Sequence, residues 1–349
     1  MSRVSAQESV RLGIVGTGAM ASEMARATAT IPQLAVTAVL SRSADRADAF
    51  CKLHSLDAIG CSDIGDFFDQ TDAVYIATPP GQHAALLDNA IDAGKPALCE
   101  KPLTGSPEET GRVLSKARAQ GVLVMEAIWT LALPAYRALK TRTAHSRPGF
   151  LQFDFSYPLN ASDKSHYLDP ENGGVLLDRA VYGYAAAIHL LGDVVSQSVF
   201  VTRNADGLDT SAELRLEHEG HARSLITLAF DRVGPNLLHL SNEFGLLTLG
   251  PSSLAGETLV HRPYPKLAPS QDGPKRIGLK DRLKSMPALR RLKARVPTQP
   301  EFFGFGASSY APILQEFQTT IAQGKIQSNI VPHDLSERVS RLTHEARSQ

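Results

Sequence analysis

A glycine-rich turn near the N-terminus constrains this chain more than any other feature. The mostly apolar run Val10–Val15 leads into Gly16-x-Gly18-x-x-Ala21, and good helix formers follow from Ser22 to Thr30. Two glycines at a strand-to-helix turn let the backbone approach a pyrophosphate, whose charge then lies at the helix N-terminus. This context predicts a dinucleotide-binding βαβ unit rather than an ordinary glycine turn. The candidate cofactor-binding residues of the turn are Gly16, Thr17, Gly18, Ala19 and Met20.

The end of the second predicted strand, Leu34–Leu40, indicates which dinucleotide is bound. A site that prefers NAD usually has an acidic residue here, which accepts hydrogen bonds from the ribose 2′-hydroxyl. This chain has Ser41 and Arg42 instead, and its first acid is Asp45. A hydroxyl and a guanidinium suit a 2′-phosphate, so we predict NADP, with NAD as a possible substitute. The alternative is that Arg42 is only a solvated loop arginine.

Composition and charge exclude several classes of protein. The 349 residues suffice for two domains, and the formal net charge of zero gives no reason to expect nucleic acid or a membrane surface as a partner. The three cysteines and the scattered histidines lack metal-ligand spacing, so we predict no metal. With neither a bilayer-length apolar run nor a signal-peptide pattern, we expect a cytoplasmic enzyme.

Two further strands place polar residues at the same edge of the predicted sheet. Ala73–Ala77 leads into Thr78-Pro79, and Ala97–Cys99 ends at Glu100-Lys101-Pro102. Carboxyl ends of strands in a doubly wound sheet are where such sheets bind ligands. A lysine there can hydrogen-bond a substrate oxygen beside a nicotinamide. From the residues alone, a surface lysine before a proline turn is an equal alternative for Lys101.

Several motifs, in their order and spacing, resemble the glucose–fructose oxidoreductase / inositol dehydrogenase / MocA (Gfo/Idh/MocA) family. They are Gly16-x-Gly18-x-x-Ala21, Ala77-Thr78-Pro79 with His83, Glu100-Lys101-Pro102, Met125-Glu126-Ala127, and Gly173-Gly174-Val175-Leu176-Leu177-Asp178 followed by Tyr182. The resemblance covers residues from about 10 to about 342. It is nearest to the sugar dehydrogenase and dimeric dihydrodiol dehydrogenase branch, because those members carry a tyrosine at the position of Tyr182.

The resemblance implies a catalytic pair of Lys101 and Tyr182, with Asp178 close by. It also implies a cofactor site that includes Thr78, Pro79, His83, Glu100, Lys101 and Trp129, and a substrate site of Lys101, Trp129, Asp178 and Tyr182. His166 joins the predicted substrate site because it precedes the glycine pair in a loop. Homodimers, or dimers of dimers, through the C-terminal sheet are implied as well.

The chemistry of the pair can be stated without the family. Tyrosine is a poor proton donor and acceptor unless positive charge lowers its pKa from about 10, and Lys101 with an oxidised nicotinamide would supply that charge. Asp178 and Tyr182 are four residues apart, so they share one face of a helix. Tyr184 would point elsewhere, which is why we choose Tyr182.

Two departures from the family pattern bear on substrate identity. The arginine usual after the Met-Glu-Ala element is Leu131 here, which removes a charge expected near cofactor or substrate. The family's Asp-x-Gly reads Asp178-Arg179-Ala180, which adds a Cβ and a charge beside the catalytic helix.

The periodicity changes at about residue 149. Alternating segments predict strands at Phe150–Tyr157, Ala212–Glu217, Ser224–Phe230, Leu237–Glu243 and Leu246–Leu249, and helices at Ala307–Gln323 and His333–Ser348. The predicted fold is an α/β Rossmann domain with a doubly wound parallel sheet (residues 9–127). An α+β domain with a large, mostly antiparallel open sheet is predicted to follow (residues 128–349). The family resemblance implies that this domain serves substrate binding and oligomerisation.

A basic insertion at residues 262–296 interrupts the second domain. It contains eleven lysines or arginines against two acids, and five prolines divide it. We interpret it as a solvated excursion. The alternative is a lid or arm that attracts an anionic substrate or partner.

These features predict an NADP-dependent oxidoreductase that acts on a hydroxyl or carbonyl carbon of a sugar, cyclic polyol or related diol. Two alternatives stay open. One is an NAD-dependent glycosidase of the same family that retains its cofactor, and the other is a non-catalytic NADP-binding sensor. The lysine of Glu100-Lys101-Pro102 argues against a pure sensor, which would not need it.

Overall fold

A computed structural model of the chain describes residues 9–144, 146, 148–159, 168, 173–264 and 300–349. Its first sheet has six parallel strands in the order β3-β2-β1-β4-β5-β6. This order, with its reversal between β1 and β4, is that of the dinucleotide-binding Rossmann fold. The strands are β1 Val10–Val15, β2 Leu34–Leu40, β3 Ile59–Cys61, β4 Ala73–Ile76, β5 Ala97–Cys99 and β6 Val124–Glu126.

Helices cover both faces of this sheet, which explains why its strands are nearly continuous apolar runs. On one face, Met24 and Phe50 belong to the larger core. On the other, Phe67, Leu87 and Leu114 form a second core. The helices are α1 Ala19–Thr28, α2 Ala44–Leu53, α3 Ile64–Asp69, α4 His83–Asp92 and α5 Pro107–Gln120.

Local sequence signals set the ends of several helices. Ser106 caps α5, accepting a hydrogen bond from the Glu109 backbone N–H at 3.2 Å, and Pro107 occupies its first turn. Gly121 ends α5 in the left-handed conformation at φ 70°. Helix α1 begins at Ala19, three residues before the predicted start, so its first turn adjoins Gly18 directly.

The second sheet has eight strands in the order β14-β13-β12-β11-β7-β10-β9-β8. All neighbours are antiparallel except β7 and β10, which run parallel. The strands are β7 Pro148–Ser156, β8 Val194–Arg203, β9 Asp209–His218, β10 Arg223–Ala229, β11 Leu238–Asn242, β12 Gly245–Gly250, β13 Thr258–Pro263 and β14 Glu301–Phe302. The predicted mostly antiparallel sheet is confirmed. Strands β8 and β14 at its two edges, and β13 beside β14, were not predicted because they lack a clear alternation in the sequence.

Helix α7, Val175–Leu191, packs across the second sheet and faces the first one with its N-terminal turns. Its Gly183 lies against Ile226, where an added Cβ would be 2.6 Å from a side-chain carbon. The remaining helices are α6 Pro134–Thr143, α8 Ala311–Ala322 and α9 His333–Arg347, with 3-10 turns at Pro80–Gln82, Trp129–Ala132 and Glu219–His221.

Helix α9 ties the two sheets together. It contacts both α5 and α7. The His333 Nε2 atom lies 2.9 Å from the carbonyl oxygen of Val124 in β6, and Arg118 pairs with Glu337 at 3.0 Å. This contact fixes α7 above the carboxyl edge of the parallel sheet. Of the predicted basic insertion, only residues 262–264 are within the described part of the chain.

Candidate active site

A groove crosses the carboxyl edge of the parallel sheet where the strand order reverses. Gly16 ends β1 at φ +110°, and a Cβ at that position would lie 2.7 Å from the Ala77 carbonyl oxygen. Gly18 stands immediately before α1, and a Cβ there would meet no atom within 4 Å. The turn therefore leaves backbone and helix N-terminus open to a ligand, which fits a dinucleotide pyrophosphate.

The outer half of the groove is a cavity of about 510 Å³. Its lining includes Ser41 and Arg42, as expected, and also Arg46, which the sequence analysis missed. The Arg46 Nε atom donates a hydrogen bond to Thr17 Oγ1 at 2.8 Å. Arg46 lies in the first turn of α2, close in the chain to Ser41 and Arg42, and this closeness is the signal that could have suggested it. Two guanidiniums here suit a 2′-phosphate.

The inner half is a cavity of about 600 Å³ that shares Gly18, Ala77, Thr78 and Pro79 with the outer half. The predicted residues that line it are Gly18, Ala19, Met20, Thr78, Pro79, Glu100, Lys101, Trp129, Asp178 and Tyr182. Segments far apart in the chain thus meet at the end of one groove, where the nicotinamide half of a dinucleotide would lie.

Lys101 forms the strongest polar contact of the inner cavity. Its ammonium donates to Asp178 Oδ1 at 2.6 Å and to the Asp178 backbone oxygen at 2.8 Å. The two side chains are only 12% and 15% exposed, so solvent screens the pair weakly. Asp178 lies in the first turn of α7, which places the carboxylate beside the tip of β5.

Tyr182 lies one turn further along α7 and faces the same cavity. Its hydroxyl accepts a hydrogen bond from Trp129 Nε1 at 3.2 Å, and Lys101 Nζ is 5.1 Å from its ring centroid. Tyr184 is fully buried elsewhere, donating from its hydroxyl to Gln197 Oε1 at 2.7 Å. The structure therefore brings Lys101, Asp178 and Tyr182 together and keeps Tyr184 apart.

Burial and the charge of Lys101 act on the pKa of Tyr182 in opposite directions. Burial raises the pKa of Tyr182 well above its usual value, and the charge of Lys101 lowers it by less. Lys101 is itself paired with Asp178, so part of its charge is neutralised where the tyrosine could use it. Lys101 by itself therefore does not bring the pKa of Tyr182 below its usual value, because desolvation outweighs its charge. The lowering expected from Lys101 together with an oxidised nicotinamide stays a prediction.

Two buried acids hold the segment that carries Lys101. Glu100 accepts a hydrogen bond from the Tyr75 hydroxyl at 2.5 Å and one from the Lys101 backbone N–H at 3.3 Å. Glu126 accepts from the Leu103 backbone N–H at 3.0 Å. Burial raises the pKa of Glu100 and raises that of Glu126 to about 7. These hydrogen bonds hold the backbone segment Glu100–Leu103, which carries Lys101, in place.

His83 lies beneath the groove rather than in its lining. It is fully buried, with one ring nitrogen 2.9 Å from the Pro102 carbonyl oxygen and the other 2.8 Å from that of Thr78. Burial lowers its pKa. The predicted direct contact with cofactor is therefore replaced by a link between two segments that line the groove. His166 lies outside the described residues.

Aromatic and apolar side chains complete the inner cavity, and the sequence analysis missed them. Phe155, Leu177, Leu254 and Tyr310 line it. The Tyr310 ring is 5.0 Å from that of Trp129, and Phe155 packs edge-on against Tyr182 at 6.1 Å. Leu131, which departs from the family pattern, is fully buried in the core. No local pattern marks these positions, since they meet only through packing.

The described residues contain neither a cluster of metal ligands nor a membrane-spanning helix. Within those ranges, no group of three or more potential metal ligands is close enough to hold an ion. The described helices also include none long and apolar enough to cross a bilayer.

Comparisons with known proteins agree with this geometry. Residues 10–128 match the family model described as "Oxidoreductase family, NAD-binding Rossmann fold". A scyllo-inositol 2-dehydrogenase (NADP(+)) from Bacillus subtilis is 27% identical over 362 residues, covering 97% of each chain. A trans-1,2-dihydrobenzene-1,2-diol dehydrogenase from Mus musculus is 28% identical over 249 residues, covering 68% of this chain and 73% of the relative.

Solved structures share the fold over almost the whole chain. A 3-ketoreductase from Actinomadura kijaniata, solved with NADP and TDP-benzene, has a TM-score of 0.75 at 21% identity and covers 98% of each chain. A UDP-N-acetylglucosamine 3-dehydrogenase from Acidithiobacillus ferrooxidans has a TM-score of 0.77 at 17% identity, again over 98% of each chain. The Gfo/Idh/MocA family model thus matches the Rossmann domain, and the relatives and solved structures extend the similarity over the rest of the chain.

Proposed function

We propose that this protein is an NADP-dependent oxidoreductase that acts on a hydroxyl or carbonyl carbon of a sugar, cyclic polyol or related diol. The observation that carries the proposal is the meeting of Lys101, Asp178 and Tyr182 in a cavity continuous with the groove over Gly16 and Gly18. The names of the Bacillus and mouse relatives, one an inositol and the other a diol dehydrogenase, support this class of substrate.

The outer cavity supports NADP as the cofactor. Arg42 and Arg46 supply two positive charges, and Ser41 supplies a hydroxyl, at the end of β2. A 2′-phosphate gains from charge-assisted hydrogen bonds with such groups, whereas a ribose hydroxyl gains little from them. The NADP named for the Bacillus relative and bound in the Actinomadura structure agrees with this choice.

The bound cofactor would supply or accept a hydride at its nicotinamide ring. Lys101 orients the substrate oxygen with its ammonium and stabilises negative charge that develops there. Tyr182, whose pKa is raised by burial, holds its proton at neutral pH. It therefore serves as the acid that protonates a carbonyl oxygen during reduction, and the tyrosinate left behind takes a proton from solvent afterwards. In the oxidation direction the hydroxyl must first lose its proton to solvent before the tyrosinate can accept that of the substrate hydroxyl.

Asp178 and Trp129 position these two groups. Asp178 holds the Lys101 ammonium through its carboxylate and its backbone oxygen. Trp129 donates to the Tyr182 hydroxyl, which leaves the tyrosine proton free to point at a substrate. The apolar lining of Phe155, Leu177 and Tyr310 would cover the hydrocarbon face of a ring-shaped substrate and exclude water from the reacting atoms.

The outer face of the second sheet is our candidate for self-association. Phe150 of β7 and Phe200 of β8 are 41% and 59% exposed on it. We propose a homodimer, or a dimer of dimers, that covers this face. Sedimentation of the wild-type protein beside Phe200→Glu tests it. A wild-type monomer at working concentration would overturn it.

A substrate screen tests the proposed activity. NADPH fluorescence should change with at least one compound of a panel of inositols, hexoses, nucleotide-linked ketosugars and cyclic trans-diols, and much less with NADH. In the same assay Tyr184→Phe should match the wild type, and Tyr182→Phe should not. Failure to bind either dinucleotide, measured by calorimetry, would overturn the proposal.

A further inference from the structure

Arg179 is a buried cation directly behind the catalytic pocket, next to Asp178 in the chain. The residue is only 4% exposed. Its guanidinium lies between two aromatic rings, with Cζ 4.4 Å from the centroids of both Phe155 and Phe230. Of these residues, Phe155 lines the inner cavity and Arg179 does not. Arg179 therefore lies one layer of side chains behind the cavity wall.

The hydrogen bonds of Arg179 leave its charge only partly compensated. Nη1 donates to the backbone oxygen of Ala229, and to that of Phe155 at 3.4 Å. Nε is buried and has no hydrogen-bond partner among the described residues. Burial lowers the pKa of Arg179, but a guanidinium stays protonated at any physiological pH. The helix therefore keeps a full positive charge at this depth.

Asp178 lies between two cations. Its Oδ1 accepts from Lys101 Nζ at 2.6 Å, and its Oδ2 is 3.8 Å from Arg179 Nε. Asp154 is the other carboxylate that acts on Arg179, and it is occupied by hydrogen bonds from the Thr227 hydroxyl and the Asn236 backbone N–H. Two carboxylates thus face two buried cations, and of these two carboxylates only Asp178 lines the inner cavity. The charge of Arg179 offsets part of the negative charge that Asp178 presents to the cavity.

We propose that Arg179 is a positioning residue that acts through Asp178, and that its charge makes the pocket favour the uncharged, reduced nicotinamide over the oxidised, positively charged ring. The inference rests on the proposed binding of NADP in the groove. A buried charge acts over about 10 Å with little screening, since the Debye length applies to solvent rather than to the protein interior. The same charge favours a substrate oxygen that becomes negative.

The ratio of the dissociation constants for NADP⁺ and NADPH tests this without any substrate. In Arg179→Met, which keeps volume and removes the charge, the ratio Kd(NADP⁺)/Kd(NADPH) should fall on the order of three- to tenfold. In Arg179→Lys, which keeps the charge, it should stay near the wild-type value. Arg142→Met is the matched control, because Arg142 also lies over an aromatic ring, that of Phe303, but outside the cavity lining.

Each outcome decides between charge and mere packing. If Arg179→Met weakens both forms of the cofactor equally, or if Arg179→Lys shifts the ratio as much as Arg179→Met, the inference is overturned. Should Arg179→Met fail to fold, Arg179→Gln replaces it, since it also removes the charge and keeps a donor for the Ala229 oxygen. The ratio must fall in that variant too, and an unchanged ratio would overturn the inference. A wild-type protein that binds neither NADP⁺ nor NADPH would overturn the proposed function instead.

Discussion

The two halves of the cleft carry positive charge in opposite ways. In the outer half, Arg42 and Arg46 are exposed to solvent. In the inner half, the side chains of Lys101 and Arg179 are 12% and 5% exposed and share Asp178. An exposed charge attracts a ligand but is screened by salt, whereas a buried charge is screened little and must be held by partners. The outer half is thus suited to selecting a cofactor, and the inner half to chemistry.

The halves also differ in how the chain builds them. The glycine turn, Arg42 and Arg46 come from one continuous segment from β1 to α2, and local pattern predicts the turn and Arg42, although it missed Arg46. The inner cavity combines the tip of β5, the 3-10 turn at Trp129, the first turns of α7 and the residue before α8. Changes in the inner half should therefore affect rate, and changes in the outer half should affect cofactor choice.

The largest expected effect is on catalysis. Lys101→Ala should lower kcat by about 10² to 10⁴, because the substrate oxygen loses its positive partner, and should change NADP affinity little. Steady-state kinetics and calorimetry measure the two quantities. A variant that loses NADP affinity while keeping kcat would contradict the division between the halves.

Tyr182→Phe should lower kcat over the same range of about 10² to 10⁴, since the proton donor is removed. Tyr184→Phe is the matched control, because its hydroxyl bonds Gln197 away from the cavity. Full activity in Tyr182→Phe together with loss in Tyr184→Phe would show that the wrong ring has been chosen.

Substitutions in the outer half should change cofactor preference and leave kcat within a few-fold of the wild-type value. Replacing Arg42 and Arg46 by Ala should weaken NADP binding about ten- to a hundredfold, at roughly 1.5–3 kcal/mol for a charge-assisted contact, and leave NAD binding nearly unchanged. Lys52→Ala, an exposed change on the same helix α2, serves as control. Equal affinities for NAD and NADP in the wild type would remove the basis of the assignment.

Stability should depend on pH through a buried acid below the inner half. Burial raises the pKa of Glu126 to about 7. The folded state therefore binds this proton more tightly than the unfolded state, whose pKa is about 4.3. The contribution of Glu126 to the free energy of unfolding is fully present below about pH 4.3 and is lost as the pH rises through about 7.

The matched variant is Glu126→Gln, which keeps an acceptor for the Leu103 N–H and cannot titrate. Between about pH 5 and pH 8 the free energy of unfolding of the wild type should fall by roughly 2 kcal/mol relative to that of Glu126→Gln. Urea unfolding at each pH measures this. Parallel pH dependences in the two proteins would show that Glu126 does not titrate in this range.

The smallest expected effect is that of salt. Raising the ionic strength from about 0.1 M to 1 M shortens the Debye length from about 10 Å to 3 Å, so NADP affinity should fall a few-fold. The kcat at saturating cofactor should not follow, because the Lys101–Asp178 pair is buried. A kcat that falls in parallel with affinity would mean that the inner half is wetter than its burial indicates.

Much of the first sheet could be predicted from the sequence. The ends predicted for β1, β2 and β5 are those observed, because a buried parallel strand is a short apolar run bounded by turn residues. The pairing of Asp178 with Tyr182 on one helix face followed from their spacing alone. The domain limits at residues 127 and 128 stay a prediction, as do the assigned roles of the site residues.

Other features needed the folded chain. Edge strand β8 alternates weakly, since its neighbour covers it on one side only, and no pattern marked it. The sequence implied that positive charge would lower the pKa of Tyr182, but it carried no measure of burial, which acts in the opposite direction and dominates. Arg46 was passed over because its position in the chain does not show that its side chain reaches Thr17, 29 residues away.

The sequence by itself determined the βαβ turn, the cofactor class that it favours, and the chemical types available for catalysis. These depend on interactions between residues close together in the chain, where spacing and side-chain type suffice. Only the tertiary structure decided that His83 lies beneath the groove, that Phe155 and Tyr310 line the cavity, and that Asp178 stands between Lys101 and Arg179. Burial and charge compensation are properties of packed surroundings, and those surroundings come from residues far apart in the chain.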